Sequence, residues 1–274
     1  MSWGWELGGA GGGALACCIL GSMGDHTQRF TGKVEAYERY RERYPAEKVL
    51  AQLREWCGLR ADWVVADVGA GTGMLAEVFL GNGNRVIAIE PNEEMRAACE
   101  RLKERWPGLE VVDATAEATG LADASVEMVG AGRAFHWFDT QRALAEFRRV
   151  LKPGGWVALV SAGRAHIETE QALDFERLLV EFGNDQTYAR STYRVHDKLE
   201  ELFVDLHQAE IPGEQRMDWE TLRGFAQSIS VVPQRGTPGF EAFEVELRKH
   251  FERFARDGVL TTQTTCWISA GLLA

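Results

Sequence analysis

No two of the five cysteines in this 274-residue chain have the C-x-x-C spacing. Cys17 and Cys18 are adjacent, and Cys57, Cys99 and Cys266 stand alone. That scatter excludes a disulfide framework and a zinc site of ordinary ligand spacing, so no metal is expected and a reducing, cytoplasmic compartment is. Long hydrophobic runs are missing too. None approaches the roughly 18 apolar residues of a membrane span, so no bilayer crossing is expected. Positive charge is scarce, with 30 Lys and Arg against 41 Asp and Glu and a formal net charge of −11. Nucleic acids are held mainly by Lys and Arg on phosphates, so the balance excludes them and favours a small-molecule substrate. The first 24 residues hold eight glycines and the apolar run "ALACCIL" but no Lys or Arg ahead of it. Without a charged start the run does not make a signal peptide, and residues 1–24 read as a flexible tail, with Met23 a candidate natural start.

What is present is a globular composition, 45% hydrophobic and 26% charged, enough for one large domain over 25–274. Residues 35–59 have helical spacing, with Pro45 interrupting and a second helix from Ala46. Short apolar runs then alternate with amphipathic stretches: "WVVADV" (63–68), "RVIAIE" (85–90), "LEVVDA" (109–114), "SVEMVGAG" (125–132) and "GWVALVSA" (155–162). Strands apolar on successive residues are buried on both faces, which predicts a doubly wound α/β fold with a mostly parallel sheet. Beyond Ala162 the rhythm loosens into inserted helical elements over 165–206 and 220–257. Helices are expected at 169–182, 197–206, 220–227 and 240–256, with a strand within 209–219 and a late strand in "LTTQTTCWISAGL".

The chemistry starts at "DVGAGTGM", with Gly69, Gly71 and Gly73 directly after the first strand. Glycine there permits positive φ and removes the Cβ that would collide with a ligand on the turn. Such loops serve several cofactors. The dinucleotide fingerprint G-x-G-x-x-G needs glycine at position 74, where Met74 stands. Glu90 ends the second strand, placed either to accept from both hydroxyls of a ribose or to cap the helix that follows. Asp113 and Ala114 follow the third strand, where an acid and a backbone N–H can meet an adenine.

With "AFHWF" at 134–138 and "LKPGG" at 151–155 in order behind these motifs, the chain resembles the class I S-adenosylmethionine-dependent methyltransferases, in particular their small-molecule branch. The resemblance covers about residues 28–165. It implies a Rossmann-like sheet of seven strands with a late antiparallel strand, and S-adenosylmethionine as cofactor. Binding is implied at Asp67, Gly69, Ala70, Gly71, Gly73, Glu90, Pro91, Asp113, Ala114, Arg133, Phe135 and Trp137. Residues 28–45 look like the branch's cover segment, bringing Tyr37, Tyr40, Arg41 and Tyr44 to the substrate side. That branch often carries Tyr-Arg-Pro-x-Tyr-Pro, and here Glu42 stands in place of the first proline, which puts the aim of Arg41 in question.

The implied reaction is in-line methyl transfer to a small molecule, in which the protein supplies position and a dry site. Phe30, Tyr37, Trp137 or Phe138 would face the sulfonium. His136 serves as a general base if the acceptor is a hydroxyl, or as a structural residue at the sheet edge. Two other readings share these motifs: a non-catalytic cofactor-binding protein of the same fold, and an NAD-dependent oxidoreductase. The last wants the missing glycine and a Tyr-Lys or His-Asp pair for hydride transfer. A monomer or homodimer is expected.

Overall fold

The structure, a computed structural model, describes residues 34–165, 167–183, 199–229 and 231–274. The expected tail at 1–24, Phe30 and residues 197 and 198 lie outside the described residues. Five strands, β1 (Val64–Val68), β2 (Arg85–Ile89), β3 (Leu109–Val112), β4 (Val126–Gly132) and β5 (Leu151–Arg164), pair in parallel. With β6 (Phe203–Met217) and β7 (Leu260–Leu273) they form one seven-stranded sheet in the order β3-β2-β1-β4-β5-β7-β6. The last strand in sequence, β7, inserts between β5 and β6 and runs antiparallel to both.

Side chains alternate across the sheet, so Val65 of β1 turns to one face while Ala66 and Val68 turn to the other. On the first face α2 (Ala46–Cys57) and α3 (Met74–Gly81) bury Val49, Leu53, Leu75 and Phe79 over Val65, Val86 and Met128. On the second, α5 (Thr140–Val150) buries Leu144 and Phe147 over Val129 and Leu159. Cover on both faces is what lets strands this short be apolar throughout. The α4 helix (Glu93–Arg101) starts at Asn92, whose side chain accepts from the Met95 N–H.

A third apolar layer sits apart from these two. The helices α6 (Glu170–Phe182), α7 (Trp219–Gln227) and α8 (Phe240–Phe254) bury Phe175, Leu178, Leu222, Phe225, Phe243 and Leu247 together with Met217 and Leu260. Met217 ends β6 and Leu260 begins β7, and the two are paired, so the layer caps the carboxyl edge of the sheet beyond β5. The short helix α1 (Val34–Tyr40) packs on it: a Cβ on Gly224 of α7 would lie 2.2 Å from the Tyr40 ring.

One expected helix is a strand. From Phe203 onward the span expected as a helix over 197–206 belongs to β6, which is hydrogen-bonded along nearly the whole of β7. Phe203, Leu206 and the acids around them have helical spacing, but the cross-strand ladder prevails. The misfit is absorbed by a register shift between Val204 and His207, where Asp205 takes φ 53°.

Candidate active site

The glycine loop joins β1 to α3 with Gly69, Gly71 and Gly73 at φ 66°, 58° and 86°, a region that disfavours L side chains. A Cβ on Gly69 would lie 2.5 Å from that of Ala134, whereas one on Gly71 would meet nothing within 4 Å. The loop therefore turns Gly71 toward open space. Across it, the buried Glu90 carboxylate is held at both oxygens by backbone: Oε2 accepts from the Gly71 N–H at 2.8 Å and Oε1 from the Asn92 N–H at 2.8 Å. Burial raises its pKa against the pull of those two N–H groups and Arg96. Each oxygen retains acceptor capacity beyond the bond it makes.

These groups line a cleft of about 840 Å³, counted out to its mouth. Tyr37, Pro91, Asn92, Met95 and the turn Thr115–Glu117 form one part of its wall, and Gly132, Arg133, Ala134, Trp137 and Phe138 another. The cleft lies at the carboxyl ends of β1, β2 and β4, where the strand order reverses and open α/β sheets bind their ligands.

Of the residues expected at the site, Gly69, Gly71, Glu90, Pro91, Arg133, Trp137 and Tyr37 line the cleft. Others lie elsewhere. Asp67 is fully buried behind the loop with neither carboxylate oxygen hydrogen-bonded, and burial pushes its pKa up to about 7, the nearby Glu90 carboxylate adding to the rise. Ala70 packs in the core, as does Phe135 edge-on to Phe138, and Gly73 meets Leu102 and Cys99. Asp113 and Ala114 are outside the lining: the Asp113 side chain, 67% exposed, turns to Arg96 at 3.0 Å, and the turn two residues later takes the place at the wall. The acid on that wall is Glu117, whose carboxylate accepts from the Asp139 N–H. The turn that carries it is closed by the Thr115–Ala118 bridge, which only the fold reveals. His136 is exposed beside Trp137 and does not line the cleft, so the geometry gives it no base's position.

The segment between α1 and α2 is anchored by a buried ion pair. Arg133, itself at φ 56°, places its guanidinium 3.3 Å from Glu42, with side chains 10% and 6% exposed, and lies over the rings of Tyr37 and Tyr44. Glu42 thus stands where the resembled branch has proline because it neutralises Arg133. Tyr44 belongs to the core, its hydroxyl against Gly132 and its pKa driven upward by burial. Arg41 donates to the Ser228 carbonyl at 3.0 Å and lies over Tyr37 and Phe225, which aims it at α7 and away from the cleft. Tyr40 likewise packs on α7.

Strand order and glycine loop together define the class I methyltransferase fold. Residues 66–159 match the family described as the methyltransferase domain, in line with the resemblance drawn from the motifs. An uncharacterized methyltransferase of Mycobacterium tuberculosis is 38% identical over 139 residues, 51% of this chain and 54% of the relative. The chain thus spans about half the length of the curated relatives it matches. Among solved structures, a provisionally assigned type II methyltransferase from Anaeromyxobacter dehalogenans superposes with TM-score 0.64 at 27% identity, over 85% of this chain and 98% of that one. A Haemonchus contortus phosphoethanolamine N-methyltransferase, solved with phosphomonomethylethanolamine and S-adenosylhomocysteine, shares the fold at TM-score 0.52 and 16% identity, over 90% of this chain and 59% of that one.

Proposed function

We propose that this chain is an S-adenosylmethionine-dependent methyltransferase that acts on a small-molecule acceptor by in-line transfer. The observation that carries the reading is the pairing of Glu90 with the open Gly71 turn at the cleft wall. The fit follows from the donor set. A carboxylate whose two oxygens are pinned by backbone presents its remaining lone pairs to a diol, and a turn without a Cβ admits the ligand close to the chain.

When bound, the cofactor supplies a methyl group on a cationic sulfur. The residues of this chain hold and shield it. Glu90 accepts from the ribose hydroxyls, and the wall formed by Met95, Thr115 and Ala116 takes the flat adenine. Tyr37, Trp137 and Phe138 offer aromatic surface that favours a cation and excludes water. Arg133 is neutralised by Glu42, so it adds little net positive charge against a sulfonium. No general base is assigned, since His136 stands outside the cleft.

Calorimetry with S-adenosylmethionine, S-adenosylhomocysteine and NAD tests the reading. The first two are expected to bind and the third is not, and NAD binding alone would sink it. Glu90→Ala should weaken cofactor binding by about 1.5–3 kcal/mol, the scale of a hydrogen bond to a charged group. Transfer of labelled methyl to a panel of small phenols, acids and amines then separates an enzyme from a non-catalytic binder.

A further inference from the structure

A second cavity of about 700 Å³, counted to its mouth, lies between α6, α7, α8 and the start of β7. Its walls combine apolar side chains, Ile167, Phe175, Met217, Leu222 and Phe225 among them, with a polar rim of threonines, Gln171 and Gln263. One polar group stands out. His250 of α8 lines the cavity with its side chain 1% exposed, and its Nε2 is buried without a hydrogen-bond partner. The other ring nitrogen, Nδ1, lies 2.7 Å from Asp174 of α6.

The Asp174–His250 pair sets what Nε2 can do. Burial pulls the Asp174 carboxyl up, but His250 and Arg177 outweigh it, leaving Asp174 below the usual carboxylate range and ionised. An ionised carboxylate only accepts, so Nδ1 carries the proton. Burial lowers the His250 pKa, so the ring is neutral and Nε2 presents a lone pair. A buried acceptor of this kind requires a donor. The cation on the cavity wall, Arg164, is paired with Glu176 at 3.3 Å and lies over the Phe175 ring at 4.6 Å. A second charge would enter an apolar space with no counterion free among the described residues, which favours a neutral ligand.

We propose that this cavity is a ligand pocket for a small, mainly aromatic molecule bearing one hydroxyl, which donates its hydrogen bond to Nε2 of His250. Arg41 stands between the pocket and the first cleft, its guanidinium 5.3 Å from the Tyr37 ring on the cleft wall and 5.9 Å from the Phe225 ring on the pocket wall. Resting on the function proposed above, the occupant is the methyl acceptor, held by an end remote from the cofactor. His250 is then a positioning residue for the acceptor.

The probe pair is para-ethylphenol and its methyl ether, para-ethylanisole, which lacks the donor. Calorimetry on the full chain should show the phenol binding at least about tenfold more tightly than the ether, the effect of one hydrogen bond to a buried acceptor. Saturating S-adenosylhomocysteine should leave that preference in place, and nitrogen NMR should show the Nε2 resonance of His250 moving only with the phenol. Asp174→Asn, whose amide donates to Nδ1 and transfers the ring proton to Nε2, should abolish the preference with the melting transition retained; His250→Leu should do the same. Equal affinities, no phenol binding, or displacement of the phenol by S-adenosylhomocysteine overturns the proposal. Phenol binding in a protein that takes no S-adenosylhomocysteine instead overturns only the assigned transfer reaction.

Discussion

Two buried glutamates, Glu90 on the cleft wall and Glu42 behind Arg133, are held in different ways. Glu90 is held by main-chain N–H groups two and nineteen residues away, whereas Glu42 is held by a side chain ninety-one residues distant, that of Arg133. Arg41 of the same segment reaches farther still, to Ser228, 187 residues on. The comparison teaches that the Glu90 wall of the cleft is a local product of loop geometry. The segment around Arg41 and Glu42 is instead tied by long-range side-chain contacts, which are easier to disturb one at a time.

The largest effect expected on the local side comes from Asp67, whose pKa is raised to about 7 by burial behind the glycine loop. An acid with a folded pKa above its unfolded value favours the native state when protonated. Stability should therefore be highest below about pH 4 for this group and fall by up to about 4 kcal/mol as pH approaches 7. Denaturant melts of wild type and Asp67→Asn across that window measure it; parallel curves would show that Asp67 is solvated or paired in solution.

On the long-range side, Glu42→Ala leaves Arg133 charged and buried, at a cost of about 3 kcal/mol. The double change Glu42→Leu with Arg133→Met should recover most of it, because an apolar pair of similar volume does not need neutralising. A double change no more stable than Glu42→Ala would mean that the guanidinium's stacking on Tyr37 and Tyr44 matters more than its charge.

Gly224→Ala sharpens the comparison without touching charge. Its methyl would overlap the Tyr40 ring, so α1 must shift on α7 at a cost of about 1–3 kcal/mol. Hydrogen exchange in α1 should accelerate, and bound S-adenosylhomocysteine should slow it again if the segment acts as a cover. Exchange unchanged by both would leave α1 as a permanently packed helix. The smallest effect belongs to His136→Ala, expected to stay within about 0.5 kcal/mol in stability because the side chain is exposed. Methyl transfer should be retained; a large loss would bring His136 back as the base.

Much of this was legible in the amino-acid order itself. The five parallel strands showed as apolar runs because burial on both faces leaves no polar alternation, and the glycines showed because no other residue adopts their φ cheaply. The place of Glu90 at the end of β2 was legible for the same reason, since the backbone groups that hold it lie within one strand–loop–strand unit. The tertiary structure alone decided that β6 is a strand, since its ladder with β7 is formed by residues far apart in sequence and outweighs local helical spacing. It also decided that Asp113 turns to Arg96, that Glu42 neutralises Arg133, and that His250, a residue of the second cavity's wall, keeps a buried ring nitrogen without a partner. Local order determines backbone periodicity and turn geometry. Which charges meet, and which are left buried without a partner, depends on the packing of segments that only the folded chain brings together.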